Sequence, residues 1–125
     1  MKYMYKTEYA IKVIIYLGQK KEKVSSELIA KDTDIPRNYL LKVLSLLNTH
    51  KLVKVYMGAY GGYVLNKPIE QITLYEVVQA TEVKLDMKHL IDIHHRYERV
   101  IQSFMDIEAL VNEELAKVSM ISLMK

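Results

Sequence analysis

Pro36-Arg37-Asn38-Tyr39-Leu40-Leu41-Lys42-Val43-Leu44-Ser45-Leu46-Leu47-Asn48-Thr49-His50 runs directly into Lys51-Leu52-Val53-Lys54-Val55-Tyr56-Met57-Gly58-Ala59-Tyr60-Gly61-Gly62-Tyr63-Val64-Leu65. The first half reads as a helix over about Pro36 to His50. At about 100° per residue, Leu40, Val43, Leu44 and Leu47 share one face, and Asn38, Lys42, Ser45 and Thr49 gather on the opposite one. The second half changes character. Leu52 to Tyr56 has strand composition, Met57 to Gly62 is a glycine-rich turn, and Tyr63 to Leu65 is a second short strand. The Gly61-Gly62 pair is followed neither by Lys-Ser/Thr nor by a helix start, so a phosphate-cradling nucleotide loop is excluded.

Working toward the N-terminus, Asp32-Thr33-Asp34 supplies a tight turn, since Asp tolerates the left-handed conformation better than most residues. Pro36 suits a first helical turn, where its missing N–H costs nothing. Ser25 is predicted to cap a short second helix running through Glu27, Leu28, Ile29 and Ala30 to about Lys31. Thr7 is predicted to cap a first helix carried by Tyr9, Ala10, Val13, Ile14 and Leu17 and ending near Gly18. Three short helices followed by a hairpin make a winged helix-turn-helix. In such folds the third helix enters the major groove and the hairpin tip reaches the backbone or the minor groove.

Toward the C-terminus, Thr73-Leu74-Tyr75-Glu76 fits a capping box and opens a fourth helix to about Thr81. Glu82 to Lys88 is a polar connector. From His89 to about Val118 runs a helical pattern without Gly or Pro, with apolar residues at Leu90, Ile93, Tyr97, Ile101 beside Val100, Phe104, Ile107, Val111, Leu115 and Val118. At ~1.5 Å per residue this is a rod of about 45 Å, longer than the small N-terminal core can cover. It folds back on the first helix, meets a second chain, or does both, and the length favours a homodimer through Leu90, Ile93, Tyr97, Ile101, Phe104, Ile107, Val111 and Leu115. The expected organisation is a winged helix-turn-helix domain over 1–81 and a connector with a long dimerisation helix over 82–125. The fold class is mainly α with a small β-hairpin.

Composition narrows the function. The 125 residues are 50% hydrophobic, which argues against disorder, and their net charge of +3 hides a division. Residues 1–67 carry 12 basic and 5 acidic side chains, a net +7, whereas 68–125 carry 6 and 10, a net −4. A basic half suggests a polyanion as partner. There is no cysteine, which removes disulfides, thiolate metal sites and thiol nucleophiles. The apolar stretch Ala10 to Leu17 is broken by Lys12 and falls short of the ~20 residues of a membrane span, and the N-terminus lacks the apolar core of a signal peptide. A cytoplasmic protein without membrane contact is expected. No Ser/His/Asp constellation or nucleotide loop points to an enzyme.

Several stretches, in order, resemble the Rrf-two family of bacterial winged-helix transcriptional regulators. They are Tyr9-Ala10-Ile11-Lys12 with Tyr16-Leu17, Val24-Ser25 with Ile29-Ala30, Ile35-Pro36 with Tyr39-Leu40, Leu52-Val53, Gly58-Ala59 with Gly61-Gly62-Tyr63, and Ile72-Thr73 with Val77-Val78. The resemblance covers roughly residues 1 to 82. It implies a DNA-binding homodimer on a roughly palindromic operator, with the long C-terminal helices crossing at the dimer interface. Many members place three cysteines between the fourth and the long helix to hold an iron–sulfur cluster. This sequence offers Met87, His89, His94 and His95 there instead, so the cluster is not carried over and no cofactor is expected. Met57 also departs from the basic residue often found before the wing glycine.

The residues expected to meet double-stranded DNA follow. Arg37, Asn38, Lys42, Ser45 and Thr49 face the major groove, with Arg37 and Asn38 best placed for base edges. Lys6, Ser25, Ser26 and Lys54 suit phosphates. The wing, Tyr60, Gly61 and Gly62, lies at or near the minor groove, while Tyr39 and Tyr63 pack within the domain. His89, His94 and His95 with Asp86 and Asp92 are the residues considered for a metal. Adjacent histidines point about 100° apart on a helix, and no metal site is assigned. The expected function is a sequence-specific repressor, with a small-molecule or protein effector acting through the connector. The alternative is a winged-helix module that binds protein instead of DNA, or a regulator controlled by a protein partner.

Overall fold

Thr7 lies inside the first helix. In the computed structural model, which describes residues 5–82 and 98–124, α1 spans Tyr5–Gly18. The expected N-cap at Thr7 is therefore corrected: the residue is buried, and its hydroxyl donates to the Glu82 carboxylate and lies 2.7 Å from Thr81 Oγ1. Ala10, Val13, Ile14 and Leu17, spaced by three and four, form the helix's buried stripe.

Helix α2, Ser26–Thr33, starts where Ser25 Oγ accepts the Leu28 amide at 3.2 Å and stops at Asp34, which takes the left-handed conformation with φ 59°. The sharp turn through Ile35 and Pro36 leads into α3, Arg37–Thr49, whose Leu40, Val43, Leu44 and Leu47 are all buried. A Leu→Ala change in such a cluster costs about 2–5 kcal/mol.

Strands β1, Val53–Tyr56, and β2, Gly62–Leu65, pair antiparallel with Tyr56 opposite Gly62. The hairpin does not stand alone. Val24, in the α1–α2 loop, bonds to Tyr63 through both backbone groups, at 3.1 Å and 2.8 Å, and so acts as a one-residue third strand.

After a 3-10 turn at Ile69–Gln71 comes α4, Leu74–Thr81. Thr73 caps it as expected, accepting the Glu76 amide at 3.3 Å, but the Glu76 carboxylate is held by Lys67 Nζ at 2.8 Å. Helix α5 is described over Glu98–Ala116, and the earlier part of the expected long helix lies outside the described residues. The helix ends before the expected Val118. The chain there turns back to the start of α4, with Leu74 N bonded to Val118 O and Met120 N to Ile72 O, each at 2.8 Å. This return seats Met120, the first residue of a 3-10 turn over Met120–Leu123, fully inside the core formed by α1, α3 and α4.

Candidate nucleic-acid interface

With its leucine face buried, α3 exposes Arg37, Asn38, Leu41, Lys42, Ser45, Asn48 and Thr49. Tyr39 and Leu46, on the flank, are half-buried, and Tyr39 is held by rings from α1: Tyr5 at 4.9 Å between centroids and Tyr9 at 6.1 Å. This aromatic cluster is consistent with Tyr39 packing inside the domain and fixes one edge of the exposed arc. Arg37 forms an exposed ion pair with Glu27 of α2 at 3.6 Å, a contact of about 0–1 kcal/mol that a phosphate or guanine can displace. Thr49 donates its hydroxyl to Ser45 O at 2.9 Å, so toward a ligand it retains acceptor capacity only. Lys42 Nζ lies 6.0 Å from the Tyr39 ring centre and leaves its ammonium at the surface.

The wing tip is Tyr60, 92% exposed, beside Met57. Gly61 and Gly62 sit behind it for reasons of packing. A Cβ on Gly61 would lie 2.0 Å from Tyr56 O. One on Gly62, where φ is 152°, would lie 2.9 Å from the Val24 carbonyl. At the base of the wing, Lys23 and Lys54 converge on Tyr56, with Nζ atoms 4.8 Å and 5.4 Å from its ring centre. The face of the ring attracts both ammoniums, and both lysines stay exposed. Lys21, Glu22, Lys23, Tyr56, Tyr60 and Gly61 line a shallow open hollow here of about 590 Å³.

Sequence reasoning placed Lys54 at this surface but missed Lys23, Tyr56 and Leu41. Lys23 comes into play only through the non-local Val24–Tyr63 pairing. Ser25 is exposed and accepts the Leu28 amide as the α2 cap, which leaves its O–H able to donate, while Ser26 is half-buried on the first turn of α2 and Lys6 is half-buried on the first turn of α1.

Helix α5 carries Val100, Phe104, Ile107 and Leu110, all exposed, with Phe104 at 58% and Ile107 at 57%. Val111 and Leu115 are half-buried. Ile101 is only 2% exposed, because α5 packs against α4 within the same chain. The exposed stripe thus runs Val100, Phe104 and Ile107, with the half-buried Val111 next at the same three-and-four spacing, and it passes through Val100 and leaves Ile101 to the core. Leu90, Ile93 and Tyr97 lie outside the described residues.

The model of the Rrf2 family, described as an iron-dependent transcriptional regulator, matches residues 3–125. The chain belongs to the Rrf2 family. Among its relatives, the HTH-type transcriptional regulator CymR of Bacillus subtilis is 33% identical over 84 residues, 66% of this chain and 61% of that protein. NsrR of Shouchella clausii is 36% identical over 83 residues, 65% of this chain and 56% of that one. The solved structure of CymR, the global cysteine regulator of B. subtilis, superposes with a TM-score of 0.71 at 27% identity, covering 98% of this chain and 95% of the other. In sequence, the chain spans between half and about three fifths of several of the curated relatives it matches. The family and these relatives are transcriptional regulators, not enzymes, and the winged-helix fold agrees with the expected one.

The Rrf2 description also names iron. A thiolate-held iron–sulfur cluster does not fit these 125 residues, which contain no cysteine. Asp86, His89, Asp92, His94 and His95 lie outside the described residues, and among the described ones no group of three or more His, Asp or Glu side chains gathers around a point. Among the described residues, no helix is long and apolar enough to cross a membrane.

Proposed function

We propose that this Rrf2 protein is a cytoplasmic, sequence-specific DNA-binding repressor that acts as a homodimer on a roughly palindromic operator and works without a cysteine-ligated cluster. The observation that carries the reading is the division of α3 into a buried leucine face and an exposed arc of groups able to meet bases and phosphates, followed directly by the wing with its paired lysines. Arg37 and Asn38, on the first turn of α3, take base edges. Lys42, Lys23 and Lys54 take phosphates, which set register without reading sequence. The exposed stripe on α5 supplies the surface for the second copy. An effector, either a small molecule or a protein, acts through the segment after α4. The end of α4 is tied to α1 by the buried Thr7–Thr81–Glu82 contacts, so a displacement there is felt by the helix that supports α3.

The test is selection of bound duplexes from random DNA with the purified chain, followed by binding titrations across salt concentrations. The reading expects one enriched motif with two half-sites and a log–log salt slope of several units. Asn38→Ala should lose about 1–3 kcal/mol of discrimination at one base pair per half-site. Lys42→Ala should weaken all sequences alike and flatten the salt slope by about one per protomer. Full affinity and discrimination in the double variant would refute the assignment.

A further inference from the structure

Leu41 is the large apolar side chain on the exposed arc of α3, and it is 42% exposed while Leu40, Leu44 and Leu47 of the same helix are buried. An isolated exposed leucine is ordinary on a protein surface. The position of this one is what matters. At about 100° per residue the exposed residues run, across the helix face, in the order Arg37, Asn48, Leu41, Ser45, Asn38, Thr49, Lys42. The arc's midpoint falls between Leu41 and Ser45, about 30° from the first and about 10° from the second, so Leu41 lies within the arc with polar groups on both sides. Asn38 lies three residues before Leu41 and Ser45 four residues after it, so both are its neighbours along the helix surface.

A branched hydrocarbon flanked on both sides by hydrogen-bonding groups cannot pair with a polar base edge or a phosphate without desolvating it. The major groove offers one apolar feature, the C5 methyl of thymine. Building on the DNA reading proposed above, we infer that Leu41 is a specificity-determining residue that selects thymine in each half-site by packing on that methyl, beside the base pair addressed by Asn38. Cytosine presents no methyl at this position. The leucine therefore discriminates between pyrimidines that Asn38 and Ser45 alone leave less sharply resolved.

The experiment uses the duplex enriched by the full chain from random DNA. Each thymine is replaced in turn by deoxyuridine, which removes only the methyl. At one thymine per half-site the substitution should weaken binding by about fourfold, the value of one buried methyl-sized group. The Leu41→Ala variant should bind thymine and uracil duplexes equally at that position, and Leu41→Met should keep most of the preference. A flat uracil scan with the unaltered protein, or an undiminished thymine preference in Leu41→Ala, would overturn the inference. Failure to enrich any motif would instead refute the DNA reading on which it stands.

Discussion

Tyr16 donates its hydroxyl to Asp32 Oδ2 at 2.6 Å, and its pKa is pushed up to about 12 from 10.0, first by partial burial and then by the bond and charge of Asp32. A phenol whose folded pKa is raised stabilises the fold fully below pH 10, and that contribution disappears as pH rises from 10 to 12. Urea midpoints of the unaltered protein should fall across that window more steeply than those of Tyr16→Phe, and parallel curves would exclude the linkage. Gly62 provides a second test. Its positive φ and the nearness of the Val24 carbonyl mean that Gly62→Ala should lose about 1–3 kcal/mol in thermal or urea unfolding. Both residues show the limit of a single sequence. Gly61-Gly62 was legible as a turn because glycine marks one locally, but its contact with Val24 depends on chain segments far apart. The Tyr16 bond needs α1 and α2 to be docked first.

At the scale of elements, α3 was the most legible, because four apolar residues at three-and-four spacing define a face without outside help. Its reading arc was less so. The sequence divides polar from apolar, whereas exposure is decided by neighbours: Tyr5 and Tyr9 cover the Tyr39 side and shift the open arc toward Arg37 and Leu41. Helix α5 carries the same lesson, since Val100 and Ile101 are equally apolar and adjacent, and only packing against α4 assigns Ile101 to the interior. The capping box on α4 was half legible. Thr73 obeys it, while Glu76 finds in Lys67 a stronger, charged partner.

For the whole molecule, the division into a net +7 and a net −4 portion matches the division of labour proposed here, a DNA-facing head and a self-associating helix. Phe104→Glu with Ile107→Glu places like charges on the exposed stripe without touching the buried Ile101 or Met120. Sedimentation should then report a folded monomer, and affinity for a two-half-site duplex should fall by at least about tenfold. A variant that remained dimeric would move the interface elsewhere. The described part of α5 is itself pinned at two points, by Ile101 near its start and by the returning Met120 just beyond its end. A helix fastened twice to its own head behaves as a ruler, not as a lever. In a dimer joined by two such rulers the separation of the heads is set once at folding, so a signal would change DNA affinity by altering the pose of α3 within each head and not the distance between the heads.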